Sequence, residues 1–455
     1  MNLPTPIDHR SLVKNALDIG VGFVDANYIY KNIETYICTR DEMKNRRTVD
    51  FGSSIRMISG SIENYIGTNN YSEIGHDVSS LALKTRKGED LSEPLIATAN
   101  AHNSSVDISS DNIIDRDYGG EIVEFCKDIQ RISSEFTDIR IRFEFDHNFI
   151  GKTYHSSDPI NNTQIFTLDI LKVSLSKRSS KGTIETSLAF GGVTADSLSM
   201  ERIRDRMSES SNYLKEVEKA KPINHGRYST ILSNDSAWTL IHETVGHGIE
   251  GDEVVNGNSF LKGFKGQIIS NLELNVLDDS QIPSAGWSEF DDEGMKTKGI
   301  LIVDNGELSQ FLHSRRTAAI LGELPTGNGR ISNYLSVPKP RQTNLMIEPG
   351  EWTEEEMFEF IGEGVYIGQI SHAQVTSDTG EFVMIPEYAY TIQNGELGDP
   401  IIPQMIRGQT LDTLQNIEAV GNDIKTNPTE CIKNGLVIPI GMISPKLVVS
   451  NLEVA

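Results

Sequence analysis

The sequence contains little cysteine, and its cysteines are not spaced as disulfide partners. Three occur in 455 residues, at positions 38, 126 and 431. Disulfide-held secreted proteins carry even numbers of closely spaced cysteines, so this pattern excludes such a framework and indicates a reducing compartment. Cys38 lies in an extended pattern and Cys126 in a helical one, and we expect both to be buried in hydrophobic cores.

Long apolar runs are also missing. No stretch approaches the roughly 18 apolar residues that a membrane-spanning helix needs. Residues 1–6 (Met-Asn-Leu-Pro-Thr-Pro) lack the basic and apolar regions of a secretion signal. Together with the cysteine usage, these features predict a cytoplasmic protein that does not associate with membranes.

Basic residues are outnumbered by acidic ones. The chain has 41 Lys and Arg against 65 Asp and Glu, which gives a formal net charge of −24. Nucleic-acid affinity depends largely on Lys and Arg that neutralise phosphates, so we expect no direct nucleic-acid binding. The length exceeds the roughly 250–300 residues that one hydrophobic core usually serves, which predicts more than one domain.

Helical and extended patterns follow each other without the βαβα rhythm of a doubly wound sheet, which favours an α+β fold with mixed, mostly antiparallel sheets. A long charged helix over 195–221, with Arg206 outside its apolar stripe, precedes a stretch richer in Gly, Pro and short strands. We therefore expect an N-terminal domain over 1–221 and a C-terminal domain over 222–455. Further helices are expected over 10–19, 72–86, 121–136, 236–250 and 352–364, the last with Thr353 as its N-cap.

The segment from His242 to Asp252, HETVGHGIEGD, carries the strongest chemical signal. Imidazole is the commonest metal-binding side chain, and a neighbouring Glu can take a proton from an activated water. The usual zinc-peptidase motif places its two His four residues apart, about 40° around a helix, whereas His242 and His247 are five apart, about 140°. We therefore expect a π-type turn or a break between them, made easier by Gly246 and Gly248.

Two histidines at this spacing also occur in helices that bind no metal. Three neighbouring features favour a metal centre on this helix of the C-terminal domain. Glu243 follows the first histidine, glycines surround the second, and an acidic pair, Glu250 and Asp252, closes the segment.

Several segments, in the same order, resemble the TldD/PmbA family of zinc metallopeptidases, once described as modulators of DNA gyrase. The resemblance is dense after residue 230 and looser over 50–60 in the first half. The segments that carry it are 242–252, 290–294, 325–330, 341–344, 420–423 and 431–454.

The resemblance implies that His242, His247 and Cys431 bind Zn²⁺ and that Glu243 acts as general base. Two imidazoles and a thiolate leave a fourth position open for water, as in catalytic zinc sites. Because Cys431 follows a polar turn, we expect it to be presented from a loop. The acidic run 291–293 is an alternative source of an oxygen ligand or of a carboxylate that orients a histidine, and such a run is also common in solvated turns.

Candidate substrate-binding residues lie in the same half. The glycines of 326–330 allow another backbone to approach, and Arg330 is a candidate anchor for a peptide carboxylate or carbonyl, the alternative being a tight turn with an exposed Arg. His313, Tyr334 and His372 are candidate oxyanion donors. His372 stands where many relatives carry a glycine-rich run.

The resemblance implies a TldD-like active subunit that hydrolyses small or unfolded peptides inside a shielded cavity, to which the N-terminal domain contributes. It also implies a homodimer or a heterodimer with a PmbA-like homologue that lacks the metal residues. Two alternatives remain at this point. One is a non-catalytic partner or regulatory subunit of such a complex, and the other is a metal-dependent amidohydrolase that acts on a non-peptide substrate.

Overall fold

The computed structural model describes residues 7–86, 95–99, 102–108, 118–180 and 182–455. The expectation about a secretion signal concerns residues 1–6, which lie outside this part of the chain. Every helix in the described part is too short or too polar to cross a lipid bilayer.

Among the residues that the structure describes, the first half contains seven strands and four α-helices. They are α1 (His9–Ile19), β1 (Phe23–Thr39), β2 (Met43–Ser59), β3 (Ile62–Thr68), α2 (Ile74–Arg86), β4 (His102–Asp107), α3 (Tyr118–Ser133), β5 (Arg140–Ser156), β6 (Ile160–Ser179), β7 (Gly182–Gly192) and α4 (Met200–Glu216).

The second half has shorter elements. They are β8 (Lys221–Pro222), β9 (Gly226–Leu232), α5 (Asn234–Ile241), α6 (Gly251–Asn256), β10 (Val276–Asp278), β11 (Ile300–Asp304), β12 (Glu307–Leu308), α7 (Arg315–Leu321), β13 (Gly329–Arg330), β14 (Lys339–Pro340), β15 (Asn344–Ile347), α8 (Glu354–Ile361), β16 (Gly364–Val375), β17 (Glu381–Gln393), β18 (Glu396–Ile402), β19 (Ile406–Gln409), α9 (Thr410–Gln415), β20 (Ile417–Val420), β21 (Lys425–Lys433), β22 (Leu436–Ser444) and β23 (Leu447–Val454).

The strands of the first half form one sheet in the order β3-β2-β1-β5-β6-β4, with β7 also pairing with β6. All pairs are antiparallel except β4 with β6. Helices α3 and α4 pack on this sheet around a core that includes Phe143, Leu171 and Tyr213. Cys38 of β1 and Cys126 of α3 are buried in the same core, as expected.

The second half contains a six-stranded sheet, β12-β11-β10-β15-β22-β21, and an eight-stranded sheet built on β9, β16, β17, β19 and β23. Because β16 pairs with both β9 and β17, the path β16-β9-β23-β19-β17 closes on itself. Most pairs are again antiparallel, which confirms the predicted α+β fold. We propose a domain boundary near residue 221, because β1–β7 precede it and β8–β23 follow it.

The predicted helices are found, with corrected limits. Thr353 caps α8 through a capping box, as expected. The long helix expected over 195–221 is shorter: α4 covers Met200–Glu216, with a single 3₁₀ segment on each side. Arg206, which was placed outside the apolar stripe of this helix, is buried, and its guanidinium pairs with Asp235.

A buried ionic contact joins the two halves of the chain. Arg56 of β2 pairs with Asp25 of β1 and donates to Glu293 Oε1 at 2.6 Å. Lys152 of β5 donates to Asp292 Oδ1 at 2.8 Å. The acidic run 291–293 is therefore buried against the first sheet, and the alternative of a solvated turn is wrong.

Replacing Arg56 with methionine should lower the free energy of unfolding by about 3–5 kcal/mol, because Asp25 and Glu293 then lose the buried cation that pairs with both of them. Denaturant unfolding measures the change. Arg47→Met is the matched control on the same strand, since Arg47 is exposed and donates to Asn32 at 2.8 Å. The control should change stability by less than about 0.5 kcal/mol. Equal effects of the two substitutions would contradict a special role for the buried pair.

Candidate metal centre

Helix α5 carries the first predicted ligand into the interior. Its N-cap is Ser233, whose hydroxyl accepts the Ser236 N–H. The helix contacts β16 of the eight-stranded sheet and β22 of the six-stranded sheet. Trp238 stacks on the His242 ring, with centroids 4.5 Å apart, and its indole N–H donates to Leu345 O at 3.0 Å. The His242 ring is thus held in place by the turn that precedes it.

The predicted distortion of the helix is confirmed. Residues His242–Gly246 form a π-helical turn, and the His247 N–H donates to the His242 carbonyl at 3.1 Å. The extra residue in this turn brings the two imidazoles together, with centroids 4.6 Å apart. The helix expected over 236–250 therefore ends at the π turn, and α6 starts at Gly251.

The glycines around His247 serve close packing rather than backbone freedom. Neither Gly246 nor Gly248 has a positive φ. A Cβ at position 246 would lie 2.5 Å from the Gln342 amide, and one at position 248 would lie 2.7 Å from Leu261. Gln342 needs this room because its Oε1 lies 2.8 Å from His242 Nδ1. Gly246 thus permits the contact that orients His242.

Cys431 completes the cluster from the opposite side. It lies within β21, the edge strand of the six-stranded sheet, so the expectation that a loop presents it is wrong. Its Sγ lies 3.9 Å from His247 Nε2. One potential ligand atom from each of His242, His247 and Cys431 falls within 4.8 Å of the others, and all three residues are buried.

Glu250 lies behind His247. Its Oε2 is 3.4 Å from His247 Nδ1, which leaves Nε2 facing Cys431. Burial favours a neutral His247, but the interactions with Glu250 and Cys431 together outweigh it and raise the pKa of His247 to about 10. Burial, followed by the charge of His247, lowers the pKa of His242 to about 3. A metal ion therefore competes with a proton for His247 but not for His242.

Glu243 is the partly accessible member of the π turn. Burial raises the pKa of its carboxyl group, although the charges of His247, Lys433 and His372 act in the opposite direction. A raised pKa brings a carboxylate closer to the range in which it can exchange protons near neutral pH.

Arg330 is buried, so the alternative of an exposed Arg in a tight turn is wrong. Its Nη2 lies 3.5 Å from Pro439 O, and within the described part of the chain its Nη1 has no hydrogen-bond partner. Burial lowers the pKa of Arg330, and the nearby charges acting on it include those of Asp292 and Cys431. The guanidinium thus lies near the cysteine of the cluster.

The other three candidate donors have different surroundings. His313 is fully buried, with Nδ1 3.3 Å from Thr317 Oγ1 and Nε2 3.4 Å from a Glu323 carboxylate oxygen. Tyr334 packs its ring on Gly52 of the first sheet. His372 is exposed on β16, close enough to Glu243 for its charge to act on that carboxyl group. Of the three, His372 is the one whose charge acts on Glu243 of the π turn.

The acidic run 291–293 has structural partners. Asp291 accepts backbone N–H groups of Glu293, Met295 and Gly329, and Asp292 accepts the N–H of Ile331. Burial, with the neighbouring Glu293, raises the pKa of Asp291 to about 8. These hydrogen bonds lie within the second half of the chain, and the run is not part of the cluster of His242, His247 and Cys431.

Three residues around the cluster were not singled out by sequence reasoning. Gln342 holds His242, while Arg341 and Lys433 contact Glu250 at 3.4 Å and 2.6 Å. The segment 341–344 did stand out by resemblance, but its spacing from the histidines carries no chemical pattern. Lys433 lies two residues after Cys431, and this short separation was the one feature of the sequence that could have pointed to Lys433.

The donor set fits a zinc ion. Two imidazoles and a thiol are ligands that zinc prefers, and three protein donors with one open position are typical of catalytic zinc sites. The outer nitrogens of both histidines lie against side-chain oxygens, those of Gln342 and Glu250, as ligating histidines commonly do. The residues present therefore suit a metal of this kind.

Comparison with known proteins identifies relatives of the whole chain. The family model described as the PmbA/TldA metallopeptidase C-terminal domain matches residues 225–455. A metalloprotease of Methanocaldococcus jannaschii is 34% identical over 260 residues, 56% of this chain and 57% of the relative. The matches to two further archaeal metalloproteases span 51% of each relative, so the alignments cover about half of these proteins. A zinc metalloprotease TldD homolog of Saccharolobus solfataricus is 25% identical over 97% of this chain and 98% of the relative.

Solved structures match the fold over nearly the full chain. A Thermotoga maritima protein, whose name proposes that it modulates DNA gyrase, aligns with a TM-score of 0.81 at 21% identity, over 98% of this chain and 99% of that one. TldE from Thermococcus kodakarensis aligns with a TM-score of 0.77 at 15% identity, over 98% and 99%. At these identities the likeness concerns the fold. From the family model and the fold together, the chain belongs to the PmbA/TldD family of metallopeptidases.

Proposed function

We propose that this chain is a zinc-dependent peptidase that hydrolyses small or unfolded peptides. The observation that carries the proposal is the cluster of His242, His247 and Cys431, with Glu243 on the same π turn. Several curated relatives are named metalloproteases, and one is named a zinc metalloprotease, which supports the same conclusion.

The three residues of the cluster would hold the ion. His242 would bind through Nε2, because its Nδ1 faces Gln342, and His247 through Nε2, because its Nδ1 faces Glu250. The Cys431 sulfur is the third donor. When bound, zinc supplies Lewis acidity that activates water and polarises a carbonyl group.

Glu243 would act as general base. Its carboxylate would accept a proton from the attacking water and deliver it to the nitrogen of the leaving amine. The upward shift of its pKa by burial favours this double task, since the group must both accept and release a proton. His372, the nearby exposed imidazole, would donate a hydrogen bond to the substrate carbonyl oxygen.

Arg330 would anchor a carboxylate or carbonyl of the peptide. Its Nη1 is buried and, among the described residues, unpartnered, which is costly unless a ligand group accepts from it. The fixed fork of a guanidinium suits a carboxylate. We propose His313 and Tyr334 as further oxyanion donors, and in this structure they contact Glu323 and Gly52.

We further propose that the active form is a dimer in the cytoplasm, either of this chain or with a metal-free homologue, with the N-terminal domain forming the dimer contact and part of a substrate cavity. The structural similarity to TldE supports the general architecture of such a partner. No contact with membranes or nucleic acids is part of this proposal, in keeping with the net charge of −24.

A chelation experiment tests the proposal. Purified protein is given an unfolded casein-type peptide, treated with a zinc chelator, and reconstituted with Zn²⁺ or Mg²⁺. We expect hydrolysis to disappear on chelation and to return with Zn²⁺ but not with Mg²⁺, because thiolate and imidazole ligands suit zinc. Hydrolysis that persists without metal would contradict the proposal.

The second candidate function is a metal-dependent amidohydrolase that acts on a non-peptide amide. The burial of the cluster favours it, because a small substrate would reach Glu243 more easily than a long peptide. A panel of peptides and small amides separates the two, since a peptidase should prefer the peptides. A different result would indicate a regulatory partner. In that case this chain would bind no zinc, and its only effect would be to accelerate the hydrolysis that a separately added homologue catalyses.

A further inference from the structure

The buried carboxylate of Glu250 lies at the meeting point of all three segments that carry the metal-centre residues. Its Oε2 lies 3.4 Å from His247 Nδ1, 2.6 Å from Lys433 Nζ and 3.4 Å from Arg341 Nη1. The Glu250 side chain is fully buried, and those of Arg341 and Lys433 are 1% and 14% exposed. We call Glu250, Arg341 and Lys433 the Glu250 network.

The Glu250 network and the metal cluster are formed by the same two facing segments, one that carries His247 and Glu250 and one that carries Cys431 and Lys433. On the helical side, Glu250 follows His247 by three residues. On the strand side, Lys433 follows Cys431 by two residues, and alternate residues of a strand face the same side. Cys431 therefore meets His247 at 3.9 Å while Lys433 meets Glu250 at 2.6 Å. The ion pair fastens the edge strand β21 in the register that brings the sulfur to the imidazole.

The third segment is tied in through neighbouring residues. Arg341 contacts Glu250 and also Asp252, at 3.2 Å, while the next residue, Gln342, holds His242 Nδ1 at 2.8 Å. The same carboxylate thus sets the distance between the segment that orients His242 and the segment that carries His247. One buried anion connects the supports of both histidines and of the cysteine.

Charge makes this connection strong. A buried carboxylate is costly unless it is paired, and Glu250 has two cations within 3.4 Å. Removing its charge would leave Arg341 and Lys433 buried beside each other with less compensation. The supports of the cluster would then separate or admit water.

From this geometry we propose that the Glu250 network positions the zinc ligands, with Glu250 orienting His247 and Lys433 holding Cys431 in register. The inference rests on the proposed function, because it assumes that the cluster binds zinc. Arg341 and Lys433 touch no ligand atom among the contacts described above, so they are positioning residues rather than catalytic ones.

Zinc affinity, measured by competition with a chromophoric chelator, tests the inference. Glu250→Gln keeps the shape of the side chain but removes its charge, and we expect the zinc dissociation constant to rise about 10- to 100-fold. Lys433→Met should raise it about tenfold, and Lys433→Arg should restore most of the affinity, because it keeps the cation. Lys425→Met is the matched control on the same strand, since Lys425 pairs with Glu209 at 3.9 Å, away from the cluster.

A cobalt-substituted protein gives a second readout. The visible absorption of bound Co²⁺ reports ligand geometry, and we expect it to change in Glu250→Gln and Lys433→Met but not in Lys425→Met. Thermal unfolding of each metal-free variant shows whether it folds. Because Lys433 is more exposed than Glu250, at 14% against 0%, Lys433→Met tests the inference even if Glu250→Gln does not fold. Wild-type affinity and an unchanged spectrum in Lys433→Met would overturn it. Failure of the wild-type protein to bind zinc would instead overturn the proposed function.

Discussion

Replacing Cys431 with alanine will remove both bound zinc and peptidase activity. The sulfur lies 3.9 Å from His247 Nε2 and is the only thiol of the cluster, so its loss leaves two imidazoles to hold the ion. Lewis-acid activation contributes several kcal/mol of transition-state stabilisation, and we expect activity to fall at least about 10³-fold. Elemental analysis gives the zinc content, and hydrolysis of an unfolded peptide gives the activity.

Cys126→Ala is the control for this substitution. Cys126 is also a buried thiol, but it lies in the core around α3, so its replacement should leave the zinc content unchanged. His242→Ala should behave like Cys431→Ala. Zinc that is lost in His242→Ala but kept in Cys431→Ala would mean that the third ligand is another residue.

Replacing Glu243 with glutamine will separate catalysis from metal binding. The side chain is proposed to move a proton and not to hold the ion, so the variant should keep about one zinc per chain and lose about 10²- to 10⁴-fold in kcat, the range for general acid–base catalysis. Glutamine preserves the size of the side chain but cannot accept the proton. Zinc analysis and steady-state kinetics on the same preparation measure both effects.

Glu289→Gln is the matched control, because Glu289 is a partly buried glutamate that pairs with Lys296 at 3.5 Å. It should change neither kcat nor zinc content. A Glu243→Gln variant with activity within about tenfold of wild type would remove Glu243 from the role of general base.

The sequence predicted the local features of the site because they depend on local constraints. A spacing of five between His242 and His247 cannot place both rings on one face of a regular α-helix, so a π turn or a break in the helix was the physical consequence of assuming a shared metal ion. The N-cap of α8 at Thr353 followed in the same way from side-chain hydrogen bonding over three residues. Both features are decided within one or two helical turns.

Features that depend on distant segments were not predicted. Arg206 was placed outside the apolar stripe of its helix, but it is buried because Asp235, 29 residues further on, lies opposite it. Residues 291–293 looked like a solvated turn because their cations, Arg56 and Lys152, belong to strands more than 130 residues earlier. A buried ion pair between distant segments leaves no periodic pattern in either one.

The surroundings of Cys431 show the same limit at the site itself. A polar turn before it suggested a loop, whereas pairing of Cys431 with Ile438 places it in a β-hairpin. Gly246 was read as a source of backbone freedom, yet its role is to admit Gln342 from 96 residues away. Contacts of this kind require the folded arrangement of the sheets around α5.

X-ray absorption at the zinc edge of the reconstituted protein tests the central claim most directly, because it counts the atoms bound to the metal. We expect two imidazole nitrogens at about 2.0–2.1 Å, one sulfur at about 2.3 Å and one lighter oxygen ligand. The sulfur contribution should vanish in Cys431→Ala and persist in Cys126→Ala. A spectrum of the wild-type protein without sulfur, or with two sulfurs, would contradict the assignment of His242, His247 and Cys431 as the ligand set.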